Sequence, residues 1–301
     1  MRAFVTGGSG FVGLHLLAHL GACGDAVHAP LADVTDLTTI TRAIDDTPGG
    51  PPEVIYHLAG QADVGRSWTD VSLTWSINTL GTVNLLEAAK QVAPQARIIV
   101  ISSAEVYGHV PANELPITED RVLQPSSPYG ASKIAAEIAA RFAQAHQHVI
   151  IARPFNHLGP GQSPGFILPA VAKQIAQAER DGTSAIRLGN LEARRDMTSV
   201  GDVVRAYRLM AEFGHHSAVY NVCCDVAVSM RELVDRMLAL STVPLTVELD
   251  ETRLRPSDIA VQLGSSARLR ADTGWSPTAD LDDVLRSVLD EWRSKLSAQS
   301  T

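Results

Sequence analysis

The chain has few cysteines, a deficit of basic residues and no long apolar run. Its three cysteines, Cys23, Cys223 and Cys224, form no C-x-x-C pair, which argues against a zinc site. No apolar run approaches the roughly 18 residues of a membrane span, and a first strand that starts at Arg2 leaves no room for a signal peptide. The net charge of −8 argues against a general binder of nucleic acids or acidic membranes. The sequence therefore predicts a reduced, cytoplasmic protein that holds no metal and binds neither nucleic acid nor membrane.

Apolar strands and helical segments alternate along the first half of the chain. Strands are predicted at residues 3–6, 25–29, 54–58, 98–101 and 149–152. Helices are predicted at residues 11–22, 37–44 and 71–89, and a further helix begins at Pro128. Continuously apolar strands separated by helices are typical of a parallel sheet that is covered on both faces. This pattern indicates an α/β fold with a Rossmann-type doubly wound parallel sheet over residues 1–153.

The pattern changes after Arg153. Residues 154–165 are rich in glycine and proline, which predicts a loop. Helices near residues 168–179, 200–212, 230–239 and 281–295 are joined by short strands such as 185–188 and 219–222. We expect a smaller α/β substrate lobe over residues 154–301 that is interleaved with the sheet.

A glycine-rich turn, Gly7-Gly8-Ser9-Gly10-Phe11-Val12-Gly13, follows the first strand and opens the first helix. Glycines let a backbone approach a pyrophosphate closely, and a helix N-terminus offers free N–H groups and positive potential. The alternative is a tight turn that binds nothing, but the position between a strand and a helix favours a dinucleotide cofactor. Cofactor contacts are expected from Gly7, Ser9, Gly10, Phe11, Val12 and Gly13.

The end of the second strand does not identify the cofactor. An acidic residue there would bind the ribose hydroxyls of NAD, and an arginine would suit the phosphate of NADP. The segment His28-Ala29-Pro30-Leu31 supplies neither, so NADP(H) and NAD(H) both remain open. The end of the third strand, Leu58-Ala59-Gly60-Gln61, contains small residues that let a cofactor cross the sheet edge, with contacts expected from Leu58, Ala59 and Gln61.

Two segments supply candidate catalytic side chains. Tyr129 and Lys133 lie four residues apart on a helix and therefore share one face. A nearby ammonium lowers the pKa of a phenol toward neutrality, which suits proton transfer at a carbonyl or alcohol oxygen. Ser103-Ala104-Glu105 follows the fourth strand, at the edge where doubly wound sheets bind ligands. Ser103 is expected to hydrogen-bond a substrate oxygen beside Tyr129, and Glu105 to act as an acid or base or as a partner of an arginine or a substrate hydroxyl.

Two further polar residues are expected to be structural. Ser102 is a better structural candidate than Ser103. Asn78 is a polar residue inside a largely apolar helix, which predicts a core asparagine bonded to backbone that is compatible with supporting an active site.

Together these segments resemble the extended short-chain dehydrogenase/reductase family, which acts on nucleotide sugars, and the similarity covers nearly the whole chain. The resemblance implies that Ser103, Tyr129 and Lys133 carry out catalysis and that Lys133 also binds the nicotinamide ribose. It implies that the glycine turn binds the pyrophosphate and that Asp33 and Val34 contact the adenine. It further suggests a homodimer formed through the long helices after strands three and four.

Later segments narrow the resemblance to one branch. Residues 153–162 look like the substrate loop of GDP-sugar enzymes, and residues 188–196 and 254–259 resemble the pair formed by GDP-mannose 4,6-dehydratase and GDP-4-keto-6-deoxymannose reductase. As fork-shaped donors, Arg195 and Arg255 suit a diphosphate, although surface salt bridges are the alternative. The branch implies substrate contacts from Ser103, Ala104, Glu105, Asn156, Arg195, Arg255, Ser257 and Asp258.

Two features favour the reductase of this pair. The segment 29–36 is shorter than the basic segment that the dehydratase carries there and has no basic residue, and residues 159–166 look more like the reductase. Glu105 matches a general-base position of the dehydratase, but reductases of the branch can also carry a carboxylate there. We therefore expect NAD(P)H-dependent reduction of the 4-keto group of GDP-4-keto-6-deoxy-D-mannose to GDP-D-rhamnose. The alternatives are the 4,6-dehydratase, another nucleotide-sugar 4-reductase or 4-epimerase, and a non-catalytic NAD(P)-binding regulator.

Overall fold

Six parallel strands form the centre of the computed structural model, which describes residues 1–189, 191–250 and 259–298. The strands are β1 (Arg2–Thr6), β2 (Ala26–His28), β3 (Val54–His57), β4 (Arg97–Ile101), β5 (His148–Pro154) and β9 (Val219–Val222). They lie in the order β2-β1-β3-β4-β5-β9, and every neighbouring pair is parallel. The strand order reverses between β1 and β3, which places the ligand crevice of a doubly wound sheet at their carboxyl ends.

Helices cover both faces of this sheet. They are α1 (Phe11–Ala22), α2 (Leu37–Asp45), α5 (Gly81–Val92), α6 (Pro128–Ala143) and α8 (Val200–Phe213). Val5 and Tyr56 pack with α1 and α8, whereas Phe4 and Ile55 pack with α2 and α5 on the other face. Because the strands are buried on both faces, their sequences are apolar without alternation, as predicted.

The helix predicted at residues 71–89 is interrupted. The chain forms α3 (Val64–Thr69), α4 (Val71–Trp75) and a π-helical turn over Ser76–Leu80 before α5 begins. Asn78 lies in the π turn, is buried, and donates a hydrogen bond from Nδ2 to Ser132 Oγ at 3.0 Å. Single π turns inside helices often occur at functional sites, and this one turns a polar side chain toward α6.

Three helices of the C-terminal half build a smaller lobe with its own apolar core. Its main elements are α7 (Ile167–Asp181), β7 (Ala185–Leu188), α9 (Met230–Leu238), β11 (Thr246–Leu249) and α11 (Leu281–Ala298). Buried side chains of α7, β7, α9 and α11 form one cluster, and β7 pairs with β11.

Four short strands form a separate small sheet, and in sequence they alternate with the elements of the lobe and of the central sheet. Its strands are β6 (Asn156–Leu158), β8 (Arg194–Ser199), β10 (Ala227–Ser229) and β12 (Val261–Gln262), and β8 pairs with each of the other three. The expectation of an unbroken loop at residues 154–165 is therefore wrong at β6. A three-residue strand is held by its partner β8 and carries no pattern of its own.

Three elements of the C-terminal half belong to the central sheet or pack against its layers. Strand β9 extends the sheet beside β5, α8 packs on α1, and α10 (Ala267–Thr273) contacts α8 and β9. The boundary predicted between residues 153 and 154 stays a prediction. No helix among the described residues is long and apolar enough to cross a bilayer.

Candidate active site

The glycine turn between β1 and α1 presents backbone N–H groups at the carboxyl edge of the sheet. Gly10 N–H donates to Gly7 O at 3.0 Å, and α1 starts at Phe11, one residue later. Gly7 has a φ of +70°, and a Cβ on it would lie 2.7 Å from Ala59 N, while a Cβ on Gly13 would collide with the Gly7 carbonyl oxygen. The N-cap residue Gly10 has no side chain to occupy the free N–H groups of the helix. The turn therefore fits a pyrophosphate, which needs close backbone approach and unpaired donors.

The neighbouring loops are fixed against this turn. Ala59 N–H donates to Thr6 Oγ1 at 3.1 Å, which ties the end of β3 to the end of β1. Val34 is buried, and Asn84 Nδ2 donates to its carbonyl oxygen at 3.0 Å. Asp33 accepts hydrogen bonds from Thr35, at 2.9 Å from the backbone N–H. The segment predicted to contact adenine is thus held at the sheet edge, and the contact itself stays a prediction.

A buried histidine that the sequence analysis did not single out joins β1, β3 and α5. His57 Nδ1 lies 2.8 Å from Thr6 Oγ1, and Nε2 lies 3.1 Å from Thr82 Oγ1. The Thr82 hydroxyl donates to the Asn78 carbonyl oxygen at 2.7 Å, so it must accept from His57 Nε2–H. Burial, and then the charge of Lys133, lowers the pKa of His57 to about 3. The neutral imidazole is therefore a fixed support beneath the cofactor edge.

Tyr129 lies in the first turn of α6, whose N-cap is Ser127. Its hydroxyl faces the Ser103 side chain. The predicted contact of Ser103 with a substrate oxygen stays a prediction. Burial raises the pKa of Tyr129 to about 12; the Ser103 hydrogen bond acts to lower it and the charge of Glu105 to raise it. The expectation that Lys133 brings this pKa toward neutrality is wrong for this structure. Desolvation of the phenolate exceeds any effect of the ammonium.

Lys133 is held by the end of β4. Its Nζ donates to Ile101 O at 2.8 Å and lies 6.0 Å from the centre of the Tyr129 ring. Burial lowers the pKa of Lys133 to about 8, against the opposing effect of Glu137. A Cβ on Gly60 would lie 3.3 Å from Nζ, so the ammonium faces the loop at the end of β3, where a nicotinamide ribose is expected.

Asn78 fixes the same loop to α6. Its Oδ1 accepts from Gln61 N–H at 2.8 Å, and its Nδ2 donates to Gln61 O at 3.1 Å. The prediction of a core asparagine bonded to backbone is confirmed. The Gln61 side chain donates to Asp63 O and Thr74 Oγ1, so only the backbone of Gln61 faces Asn78.

A buried ion pair, also missed from sequence, holds α6 against β4 and β5. Arg153 Nη2 lies 2.6 Å from Glu137 Oε2, and both side chains are 1% exposed. Ser102 Oγ donates to Glu137 Oε1 at 2.6 Å, so Ser102 is structural, as predicted. Arg153 Nη1 also donates to the Tyr107 hydroxyl at 2.9 Å. The available signal was a lone arginine ending an apolar strand and a glutamate one helical turn after Lys133.

The small sheet brings further polar groups to Glu105. Burial raises the pKa of Glu105, while the charge of Arg195, a hydrogen bond from Gln262 and the charge of His109 act to lower it. Asn156 Nδ2 donates to Gln262 Oε1 at 3.1 Å, and Arg195 Nη1 donates to Ile259 O at 2.6 Å. The structure thus brings Asn156 and Arg195 to the side of the site that contains Glu105.

The other predicted substrate residues divide into two groups. The Ala104 methyl group packs in a buried cluster with Val106 and Phe155. The predicted substrate contact of Ala104 would therefore be made by its backbone. Arg255, Ser257 and Asp258 lie outside the described residues.

The segment after β5 crosses the glycine turn. The rings of His157 and Phe11 stack at 6.0 Å with an interplanar angle of 9°. His15 Nε2 lies 2.7 Å from Pro160 O, and Gly161 N–H donates to Glu291 Oε2 at 2.7 Å. Phe11 is therefore a packing partner of the segment 157–161 as well as a predicted cofactor residue.

One group among the described residues has the composition of a metal site. Ligand atoms of Asp196, Cys223 and Asp225 lie within 4.8 Å of one another. The Asp196 carboxylate, however, accepts from Cys224 N–H at 2.8 Å and from Asp225 N–H at 3.0 Å. These backbone bonds give the carboxylate a structural role at the end of β9.

Comparison with known proteins identifies the family of this chain. The family model described as GDP-mannose 4,6 dehydratase matches residues 26–288. The chain belongs to this family. It is 39% identical to GDP-6-deoxy-D-mannose reductase of Pseudomonas aeruginosa over 98% of both chains. It is 29% identical to UDP-glucose 4-epimerase of Mycolicibacterium smegmatis, over 98% of this chain and 99% of that one.

A solved structure supports the family fold. RMD from Pseudomonas aeruginosa complexed with NADPH matches with a TM-score of 0.91 and 36% identity, over 98% of this chain and 99% of that one. The expected Rossmann-type α/β fold and the resemblance to nucleotide-sugar oxidoreductases are therefore confirmed for this member of the GDP-mannose 4,6 dehydratase family.

Proposed function

We propose that this protein reduces the 4-keto group of GDP-4-keto-6-deoxy-D-mannose with NADPH and forms GDP-D-rhamnose, which is GDP-6-deoxy-D-mannose. The observation that carries the proposal is the placement of a protonated Tyr129 beside Ser103 and Lys133 at the carboxyl edge of the sheet. The similarity to the Pseudomonas reductase, and to the structure that contains NADPH, selects the substrate and the cofactor within the family.

The residues at the sheet edge fit a nicotinamide dinucleotide. The glycine turn would hold the pyrophosphate, the Leu58–Ala59 backbone would face the dinucleotide, and Lys133 would bind the nicotinamide ribose. Bound NADPH would supply the hydride that a ketone reduction needs. The end of β2 offers neither of the side chains that distinguish the two cofactors, so NADH is the second candidate for the same site.

Tyr129 acts as the proton donor in this proposal. With a pKa of about 12 its hydroxyl is protonated at neutral pH and can give a proton to the alkoxide that forms at C4. Ser103, which faces the same hydroxyl, orients the sugar oxygen. Lys133, with a pKa of about 8, is largely charged at pH 7 and stabilises the phenolate left behind.

The remote groups position the sugar. Arg195 and Arg255 would bind the diphosphate, and Asn156 a phosphate or sugar oxygen, so that binding energy far from C4 orients the keto group. Arg195 is also close enough to Glu105 to favour its carboxylate form. Ser257 and Asp258 are further proposed substrate contacts.

A second candidate function is the 4,6-dehydration of GDP-mannose. The observation that favours it is Glu105, a largely buried carboxyl group whose raised pKa suits a general base. The 4-epimerase is a third reaction that the same Ser103, Tyr129 and Lys133 set can serve, and the Mycolicibacterium relative has that name.

Substrate trials separate these reactions. The purified protein is incubated with GDP-mannose alone, and separately with the 4-keto sugar plus NADPH or NADH. The reductase predicts loss of the nicotinamide absorbance only with the keto sugar, and NMR of the product then gives the C4 configuration, rhamnose or talose. Formation of a keto sugar from GDP-mannose without added reductant would identify a dehydratase instead. Interconversion of nucleotide sugars that differ only in configuration at C4, by protein that holds the oxidised cofactor, would identify an epimerase.

We further propose a cytoplasmic homodimer. Helices α3 and α6, on one side of the central sheet, expose large apolar side chains. Trp68 is 61% exposed, Ile138 50% and Phe142 77%. An exposed apolar patch of this kind marks an association surface. Leu80 and Val83, near and in α5, continue the patch, as the family-based expectation requires. The unpaired, exposed Cys23 is compatible with a reducing compartment.

A further inference from the structure

Three polar residues from three strands share one face of the small sheet. Gln262 on β12 pairs with Arg195 on β8, and Asn156 on β6 pairs with Met197 on β8. Arg195 and Met197 are two residues apart, so their side chains leave β8 on the same side. Paired residues of neighbouring parallel strands also share a side, which brings Asn156, Arg195 and Gln262 to a single surface. Asp196 points the other way and binds the backbone at residues 224 and 225.

The hydrogen bonds on this surface fix the orientation of the Gln262 amide. Asn156 Nδ2 donates to Gln262 Oε1 at 3.1 Å, so the amide oxygen faces Asn156. The amide nitrogen of Gln262 is then the atom that can donate to Glu105, whose pKa Gln262 acts to lower as a hydrogen-bond partner. Gln262 is 3% exposed, so water does not compete for these bonds. The order of donation is therefore Asn156 to Gln262 to Glu105.

We propose that Gln262 is a positioning residue that holds the Glu105 carboxylate beside Ser103 and Tyr129, where Glu105 accepts a hydrogen bond from a sugar hydroxyl. The identity of that sugar rests on the proposed function. The groups that face Glu105 are Arg195 from β8, His109 from the loop after β4, Tyr129 from α6 and Gln262 from β12.

An amide donor suits this position for an electrostatic reason. A hydrogen bond from Gln262 favours the ionised form of Glu105 without adding a positive charge. The negative charge of Glu105 in turn favours the protonated form of Tyr129, which is the form that a proton donor requires. Gln262 would thus favour the ionised form of Glu105, which is the form that accepts a hydrogen bond from a sugar hydroxyl.

The experiment removes the donor and follows the pH dependence of the reaction. Gln262→Leu and the longer Gln262→Met are compared with Gln147→Leu, which removes another buried amide that donates to Leu86 O at the opposite edge of the sheet. NADPH binding confirms that each variant is folded. We expect kcat/KM of both Gln262 variants to fall about tenfold, the value of one hydrogen bond. We also expect the acidic limb of the pH profile of kcat/KM to move up by about one pH unit. The reason is that the Glu105 carboxylate loses a hydrogen-bond donor that favours its charged form. Gln147→Leu should keep the wild-type profile.

Infrared difference spectroscopy makes the test independent of the reaction. The C=O stretch of protonated Glu105 is identified by its loss in Glu105→Gln and then titrated in the wild type and the Gln262 variants. A higher midpoint in both Gln262 variants supports the positioning role even if the wild type fails to reduce the keto sugar, a result that would reject the proposed function alone. An unchanged Glu105 midpoint in folded Gln262 variants overturns the positioning role, whatever the substrate.

Discussion

Lys133 Nζ lies 2.8 Å from the carbonyl oxygen of Ile101 and 6.0 Å from the centre of the Tyr129 ring. The ammonium is therefore anchored to the end of β4 and approaches the phenol from the side of the expected ribose. In the proposed mechanism Tyr129 keeps its proton until a substrate oxygen takes it. In that mechanism the lysine stabilises the charged product of the proton transfer instead of creating a phenolate beforehand.

Replacement of Tyr129 by phenylalanine removes the proposed proton donor. We expect kcat to fall about 10²–10⁴-fold while NADPH binding is retained, because the ring and the fold are unchanged. Tyr56→Phe is the matched control, since the Tyr56 hydroxyl is buried and without a hydrogen-bond partner among the described residues. Steady-state rates with the keto sugar give the comparison, and equal activity of the two variants would reject Tyr129 as the donor.

His57 makes stability depend on pH. Its pKa is about 3 in the folded protein and about 6.5 in an unfolded chain, so the unfolded state binds the proton first as the pH falls. The contribution of His57 to the free energy of unfolding is therefore lost as the pH falls below 6.5. The loss is about 1.4 kcal/mol per pH unit until the folded-state pKa is reached. Urea unfolding between pH 7 and pH 5 measures this slope. His57→Gln should show a shallower fall than the wild type, and replacement of the exposed His146 by Gln should not.

The Arg153–Glu137 pair supports α6, the helix that carries Tyr129 and Lys133. Arg153→Met leaves the Glu137 charge buried without its partner, which typically costs about 3–5 kcal/mol. We expect a loss of this size in the free energy of unfolding, measured by urea titration, and partial recovery in the double variant Arg153→Met, Glu137→Met. A double variant less stable than Arg153→Met would show that the pair is not the cause.

The apolar patch on α5 and α6 predicts the oligomeric state. Phe142→Ser should convert the dimer to a monomer, because Phe142 is the most exposed aromatic residue of the patch at 77%. Phe213→Ser, at the end of α8 and away from the patch, should leave the dimer intact. Light scattering coupled to size exclusion measures both masses. A monomeric wild type, or equal behaviour of the variants, would contradict the predicted interface.

The parts of the fold that sequence predicted well are those with a strong apolar pattern. The helix at residues 11–22 and the strands at 185–188 and 219–222 have the predicted bounds. Strand β8 was missed because it carries polar residues toward both faces, such as Arg195 and Asp196, and β12 was missed because it has only two residues. Their pairing depends on partners that are distant in the chain, which local patterns do not contain.

The sequence predicted some features of the candidate site and missed those that depend on burial and on distant partners. The spacing of Tyr129 and Lys133 predicted that they share a helix face, but it carried no information on burial. Burial decides the pKa of Tyr129, so the predicted direction was wrong. His57 and Gln262 were missed because a buried histidine or glutamine in a strand has no sequence signature until its partners are known.

The central claim is that hydride reaches C4 of a 4-keto sugar while Tyr129 supplies the proton. NADPH deuterated at the transferable position of the nicotinamide, mixed with GDP-4-keto-6-deoxy-D-mannose and the protein, tests it directly. We predict one deuterium at C4 of a GDP-6-deoxyhexose, located by NMR, and almost none with Tyr129→Phe. A product without deuterium at C4, or one formed equally well without NADPH, would contradict the account.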